Sequence, residues 1–158
     1  MSRILTLLSV LCLLARPACA QEAGGQADSI ANLINTYQER ANTAVAANNY
    51  DDAIGWELKV LDIVENSLGK ESQEYALILT LIAGYLDAAN EPAKGLNLAT
   101  QALNIMTRCA NEQDENYVLV AQSTQKIKER ALNLLSDYRA QADSAVNRSD
   151  WAEAIRWE

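Results

Sequence analysis

The sequence predicts an all-α protein of stacked antiparallel helical hairpins, and three observations carry that prediction. The stretch YRAQADSAVNRSDWAEAIRWE, Tyr138 to Glu158, repeats YQERANTAVAANNYDDAIGWE, Tyr37 to Glu57, at an offset of 101. Eight positions are identical, pairing Tyr37, Ala41, Ala44, Val45, Ala53, Ile54, Trp56 and Glu57 with Tyr138, Ala142, Ala145, Val146, Ala154, Ile155, Trp157 and Glu158. Retained small and apolar residues at such gaps describe a unit of packing, since a catalytic site is seldom copied whole. Elsewhere apolar residues recur at spacings of three and four, the period of an amphipathic helix. Finally, the chain has no Phe and is rich in Ala, and alanine at helix crossings lets backbones approach closely, as in stacked hairpins.

Residues 1–20 read as a cleavable signal peptide. Arg3 gives a positive start, Ile4 to Leu14 is an apolar run broken only by Thr6 and Ser9, and Ala18-Cys19-Ala20 offers the small residues that precede a cut after Ala20. The run is shorter than the roughly 20 apolar residues that span a bilayer. Arg16-Pro17-Ala18 ahead of Cys19 is a poor lipoprotein signal. A secreted or periplasmic location is therefore expected. Residues 21–27, with Gly24 and Gly25, read as a flexible leader.

From Asp28 a first helix is expected to carry Ile30, Leu33, Ile34, Tyr37, Ala41, Ala44 and Val45 on one stripe. Asn48 and Asn49 end it, because both tolerate a left-handed turn. Asp51 and Asp52 place carboxylates at the positive end of a second helix, which carries Ile54, Trp56, Leu58, Val60, Leu61, Ile63, Val64 and Leu68 before Gly69 stops it. A third helix, capped by Ser72, turns Ala76, Leu79, Ile82, Ala83 and Leu86 inward and runs to about Ala89. Asn90-Glu91-Pro92 is a turn, and Pro92 suits the first helical position, where no N–H is needed. The fourth helix runs to about Cys109, with Leu96, Ala99, Ala102, Leu103 and Met106 inward. No Gly or Pro follows Asn111, and Tyr117, Thr124, Ala131, Tyr138 and Ala145 recur every seven residues with Val120, Ile127 and Leu134 between them. A continuous helix from about Asp114 to Asn147 is expected, the alternative being a break near Lys128-Glu129-Arg130. Ser149-Asp150 then begins a last helix of which only Trp151 to Glu158 remains, so the sequence reads as a truncated chain.

Charge and composition exclude several functions. Loss of Arg3 and Arg16 with the signal leaves 11 of the 13 basic residues against 21 acidic ones, a net charge of −10. Such a field repels nucleic acid and anionic membrane surfaces. The absence of histidine excludes Ser-His-Asp and Cys-His catalysis and histidine metal sites. Asp51-Asp52, Asp114-Glu115 and Glu129 read as helix-start and solvated charges rather than as two acids facing across a cleft. The six glycines are dispersed and form no phosphate loop. Neither a cofactor nor an enzymatic activity is expected. Trp56 and Trp157, at equivalent places in the repeat, read as packing residues. Cys12 and Cys19 leave with the signal, so no internal disulfide can form, and Cys109, beside Ile105 and Met106 on an apolar face, is expected to be buried.

The helical pairs resemble tetratricopeptide repeats, in the longer form of about 42 residues found in kinesin light chains and many bacterial proteins. Tyr50, Ala53, Val60-Leu61, Leu68-Gly69-Lys70-Glu71-Ser72, Tyr75-Ala76, Ile82-Ala83 and Leu86 carry the likeness. At an offset of 42, Leu61 recurs as Leu103, Ile63 as Ile105 and Tyr75 as Tyr117. The second copy departs from the pattern, with Pro92 for the turn aromatic and Ala110-Asn111 for Leu68-Gly69, but Gly95 keeps the signature position small, as do Ala53 and Ala154.

The resemblance implies repeats over 28–69, 72–110 and 114–158, the last incomplete, and a non-catalytic scaffold that binds a peptide or partner domain on its concave face. It places that face at Asn35, Gln38 and Asn42, at Leu77, Thr80 and Gly84, and at Ser136, Arg139 and Asp143, a mostly neutral surface rich in amides. Two other readings stay open at this point. One is the regulatory front of a larger enzyme such as a peptidase, and the other is a structural bundle without a ligand.

Overall fold

The computed structural model describes residues 23–147, with side chains from 29 to 146. The expected signal peptide, the turn at Ser149-Asp150 and the segment Trp151 to Glu158 lie outside the described residues. Within them the chain is all helical: α1 (Ala23–Ala46), α2 (Tyr50–Leu68), α3 (Gln73–Ala88), α4 (Pro92–Cys109) and α5 (Glu115–Asn147). Helix α1 starts ahead of the expected Asp28 and takes Gly24 and Gly25 of the predicted leader into its first turn. No helix among the described residues is long and apolar enough to cross a membrane.

The helix ends follow from local chemistry. Asn48 adopts φ +56° and Asn90 φ +67°, the left-handed geometry that asparagine tolerates. Each is followed by the same closure, Asn49 N–H to Ala44 O and Glu91 N–H to Leu86 O at 2.9 and 2.8 Å. These bonds serve carbonyls that the last helical turn leaves without partners. Asn49 caps α2 by accepting from the Asp52 N–H at 3.3 Å, and Ser72 caps α3 by accepting from the Tyr75 N–H at 3.2 Å. Gly69, at φ +85°, ends α2.

Asn48 and Asn90 are 42 residues apart, and the next place in that series is Leu132. Leucine offers no left-handed stop, and the following Pro92 is answered by Leu134. The helix therefore runs straight through where the earlier hairpins fold back. That makes α5 33 residues long against 18 for α4, roughly 50 Å against 27 Å at 1.5 Å per residue. It passes unbroken through Lys128-Glu129-Arg130, which settles that alternative.

Each helix packs on the next, and α3 packs on α5 as well. Ile34, Val60, Val64, Ile78 and Ile82 form one core cluster across α1, α2 and α3. Ala76, Leu79, Ala102, Ile105, Met106 and Val120 form another across α3, α4 and α5. Small residues are prominent in the interior: Ala41, Ala53, Ala83, Ala99 and Ala102 are fully buried and Ala142 nearly so, and Ala83 and Ala99 meet in a cluster with Ile127 where α3, α4 and α5 come together. At the α3–α4 crossing a Cβ built on Gly95 would stand 2.7 Å from the Ala83 carbonyl oxygen. Alanine itself is too large there.

The α3–α5 contact is pinned by an ion pair. Asp87, 7% exposed in the last turn of α3, lies 3.3 Å from Arg130 Nε through Oδ1, and Arg130 Nη1 donates to its Oδ2 at 3.4 Å. A carboxylate at a helix C-terminus opposes the helix dipole, so Arg130 is what makes Asp87 tolerable there. Arg130→Met is expected to lower stability by about 1–3 kcal/mol, less than for a fully buried pair because Arg130 is half exposed. Asp87→Asn in the same background should restore much of the loss in a urea titration.

Three expectations fail. Ile30, Leu33 and Leu58 are exposed. On α2 the buried stripe is Ala53, Glu57, Val60 and Val64, which turns Leu58 outward and a carboxyl inward. Cys109 is exposed rather than buried. It is the last residue of α4, and Ala110 takes the place against the core that the next apolar position would have filled. What desolvation it has, together with the Glu74 and Glu71 carboxylates, pushes its thiol pKa above the ordinary value. Native protein is thus expected to be fully labelled by a thiol reagent without denaturant, but more slowly than free cysteine at neutral pH, as timed mass spectrometry would show.

Candidate functional site

On α1, Asn35 and Asn42 are exposed and Gln38 is half-buried. Their spacing of three and four keeps them on one stripe. None of the three makes a side-chain hydrogen bond among the described residues, so their amides are open to a ligand. On α3, Leu77 is half-buried and Gly84 is exposed, with nothing within 4 Å of a Cβ built on it.

Thr80 does not belong to the surface. It is 8% exposed, and its hydroxyl donates to the Ala76 carbonyl at 2.9 Å. The cause is the central place of α3, which packs on α2, α4 and α5 and buries Ala76, Ile78, Leu79, Thr80, Ile82, Ala83 and Asp87.

Ser136, Arg139 and Asp143 are brought together, but elsewhere. They line a groove of about 420 Å³ along α5 with Leu132, Leu135 and Ala140. Because Arg130 meets Asp87 in the last turn of α3, these three residues lie roughly 9 to 20 Å beyond the end of that helix at 1.5 Å per residue. They cannot continue a face made by Asn35–Asn42 and Leu77–Gly84.

The residues that do continue it follow from the shorter repeat. Asn35, Gln38 and Asn42 become Leu77, Thr80 and Gly84 at an offset of 42, and these become Leu119, Gln122 and Lys126 at the next. All three lie in the half of α5 that precedes Arg130, with Leu119 half-buried and Gln122 and Lys126 exposed. Sequence reading missed them because the repeat at 101 is the more conspicuous one, while the period of 42 was already present in Tyr75 and Tyr117.

The chain matches no family model, no curated protein and no solved structure. Among the described residues no group of three or more acids and cysteines is placed to hold a metal ion. The stacked rings of Tyr37 and Trp56, with centroids 5.6 Å apart, carry cations: Arg40 lies 4.7 Å and Lys59 3.8 Å from the Trp56 centroid. These contacts tie α1 to α2, in keeping with a packing role for Trp56. The surface made by Asn35, Gln38, Asn42, Leu77, Gly84, Leu119, Gln122 and Lys126 thus offers amides, two apolar side chains, one open glycine and one cation. Such a set can pair with a peptide backbone but has no acid–base or nucleophilic pair.

Proposed function

We propose that the chain is a non-catalytic interaction scaffold, a tetratricopeptide-like α-solenoid exported by its signal peptide to a secreted or periplasmic location. Its face along α1, α3 and the first half of α5 takes up an extended peptide or the tail of a partner domain. The observation that carries this reading is the row of unbonded amides at Asn35, Gln38 and Asn42, whose counterparts at 42-residue intervals add the open backbone of Gly84 and the exposed amide of Gln122 to the same face. An extended peptide presents N–H and C=O groups that amides satisfy from either side. The small residues at the helix crossings support the solenoid reading, since close approach is what lets hairpins stack.

Gly84 gives a clean test. Because a side chain there enters open space, Gly84→Arg should fold as the parent does and fill the face. Peptides selected from a random library on the mature chain are expected to share a sequence pattern and to lose at least tenfold in affinity for Gly84→Arg. Selection of no common pattern, or unchanged binding by a folded Gly84→Arg, would remove this face from consideration.

A further inference from the structure

Glu57 is the residue least at home in this fold. It is 2% exposed, on the buried α2 stripe between Ala53 and Val60. Its Oε2 is buried without a hydrogen-bond partner among the described residues. Among the described residues no ion pair offsets it. The titratable group facing it from α3 is Tyr85, a phenol pushed up to about 12 by burial and then by the Glu57 charge, so it stays neutral and supplies no positive charge. From α1, the described ionisable residues are Tyr37, Glu39 and Arg40. Tyr37 and Arg40 are held against the Trp56 ring, and Glu39 is exposed. On α2 itself Lys59 also lies over Trp56, while Asp51, Asp52 and Asp62 are exposed acids. From α4 the apolar Leu98 reaches the adjoining cluster.

We propose that Glu57 is a proton-dependent latch: α1 docks on α2 and α3 when the buried carboxyl is protonated and loosens when it ionises. Burial raises its pKa from 4.5 to about 7, because an unpaired carboxylate in apolar surroundings is costly. A folded-state pKa above the unfolded value means that this contribution is complete below pH 4.5 and is lost as pH rises through 7. Helix α1 is the element that yields, since it packs chiefly on α2 and leaves Ile30 and Leu33 exposed. Asn35, Gln38 and Asn42 ride on α1, so the latch would assemble the binding face in mildly acidic surroundings and dismantle it at higher pH. That consequence rests on the proposed function, whereas the latch itself does not.

Hydrogen exchange of the ligand-free mature chain, corrected for the intrinsic pH dependence of exchange, separates the two. Between pH 5 and 7.5 the opening of the α1 amides from Tyr37 to Ala46 is expected to increase roughly fiftyfold. In Glu57→Gln, and in Glu57→Leu should the glutamine variant fold poorly, that increase should vanish. An equal increase in either folded variant, or no increase in the parent, would overturn the latch. If the latch holds but affinity for a selected peptide is the same at pH 5 and 7.5, it is the link to the binding face that fails.

Discussion

Gly95→Leu is expected to lower stability by roughly 3 kcal/mol, the upper end for overpacking a core, and the melting temperature by about 10 °C. The contact a side chain would meet is backbone: a Cβ on Gly95 falls 2.7 Å from the Ala83 carbonyl oxygen and 3.5 Å from the Asp87 nitrogen. A flexible neighbour could turn aside, but the main chain of α3 can yield only by moving away from α4 and opening the cluster of Ala83, Ala99 and Ile127. Gly84 is the control. It lies within α3, a Cβ there meets nothing within 4 Å, and Gly84→Ala should gain up to about 1 kcal/mol from helix propensity alone. Two glycines in adjacent helices should therefore respond with opposite signs in thermal melts. A Gly95→Leu protein as stable as the parent would mean that α3 and α4 do not cross there.

Glu57→Leu should stabilise the protein at pH 8 by about 3 kcal/mol, since a pKa raised from 4.5 to about 7 corresponds to some 1.4 kcal/mol per unit. The sign depends on pH. Below pH 4.5 the parent carboxyl is neutral in both folded and unfolded chains and the advantage shrinks to a packing difference, so it should grow between pH 4.5 and 7 and level off above. Denaturant titrations of parent and variant at several pH values would show this, and a difference that does not vary with pH would contradict the burial of an ionisable Glu57.

The elements themselves were legible because their ends are chemical. Asn48, Gly69, Ser72, Asn90 and Pro92 each act within a few residues, and the reading of a long α5 rested on the loss of such signals beyond Asn111. What sequence reading could not supply was the rotation and reach of each helix. Trp56 and Leu58 drew the eye as the apolar face of α2, yet Ala53, Val60 and Val64 fix a register that turns Glu57 inward. The recurrence of that glutamate as Glu158 was the available signal. Cys109 was misread because burial at a helix end depends on how far the neighbouring helices extend. Thr80 was misread because α3 is surrounded. Ser136, Arg139 and Asp143 were assigned to the face through the longer repeat, and the unbroken passage of α5 through Leu132 carries them past the end of α3.

The proposed binding face is tested most directly by hydrogen exchange with a selected peptide bound. Slowed exchange over 35–42, 77–84 and 119–126, with 132–143 unchanged, is the predicted result. Protection confined to 132–143, along the groove of Ser136, Arg139 and Asp143, would contradict it.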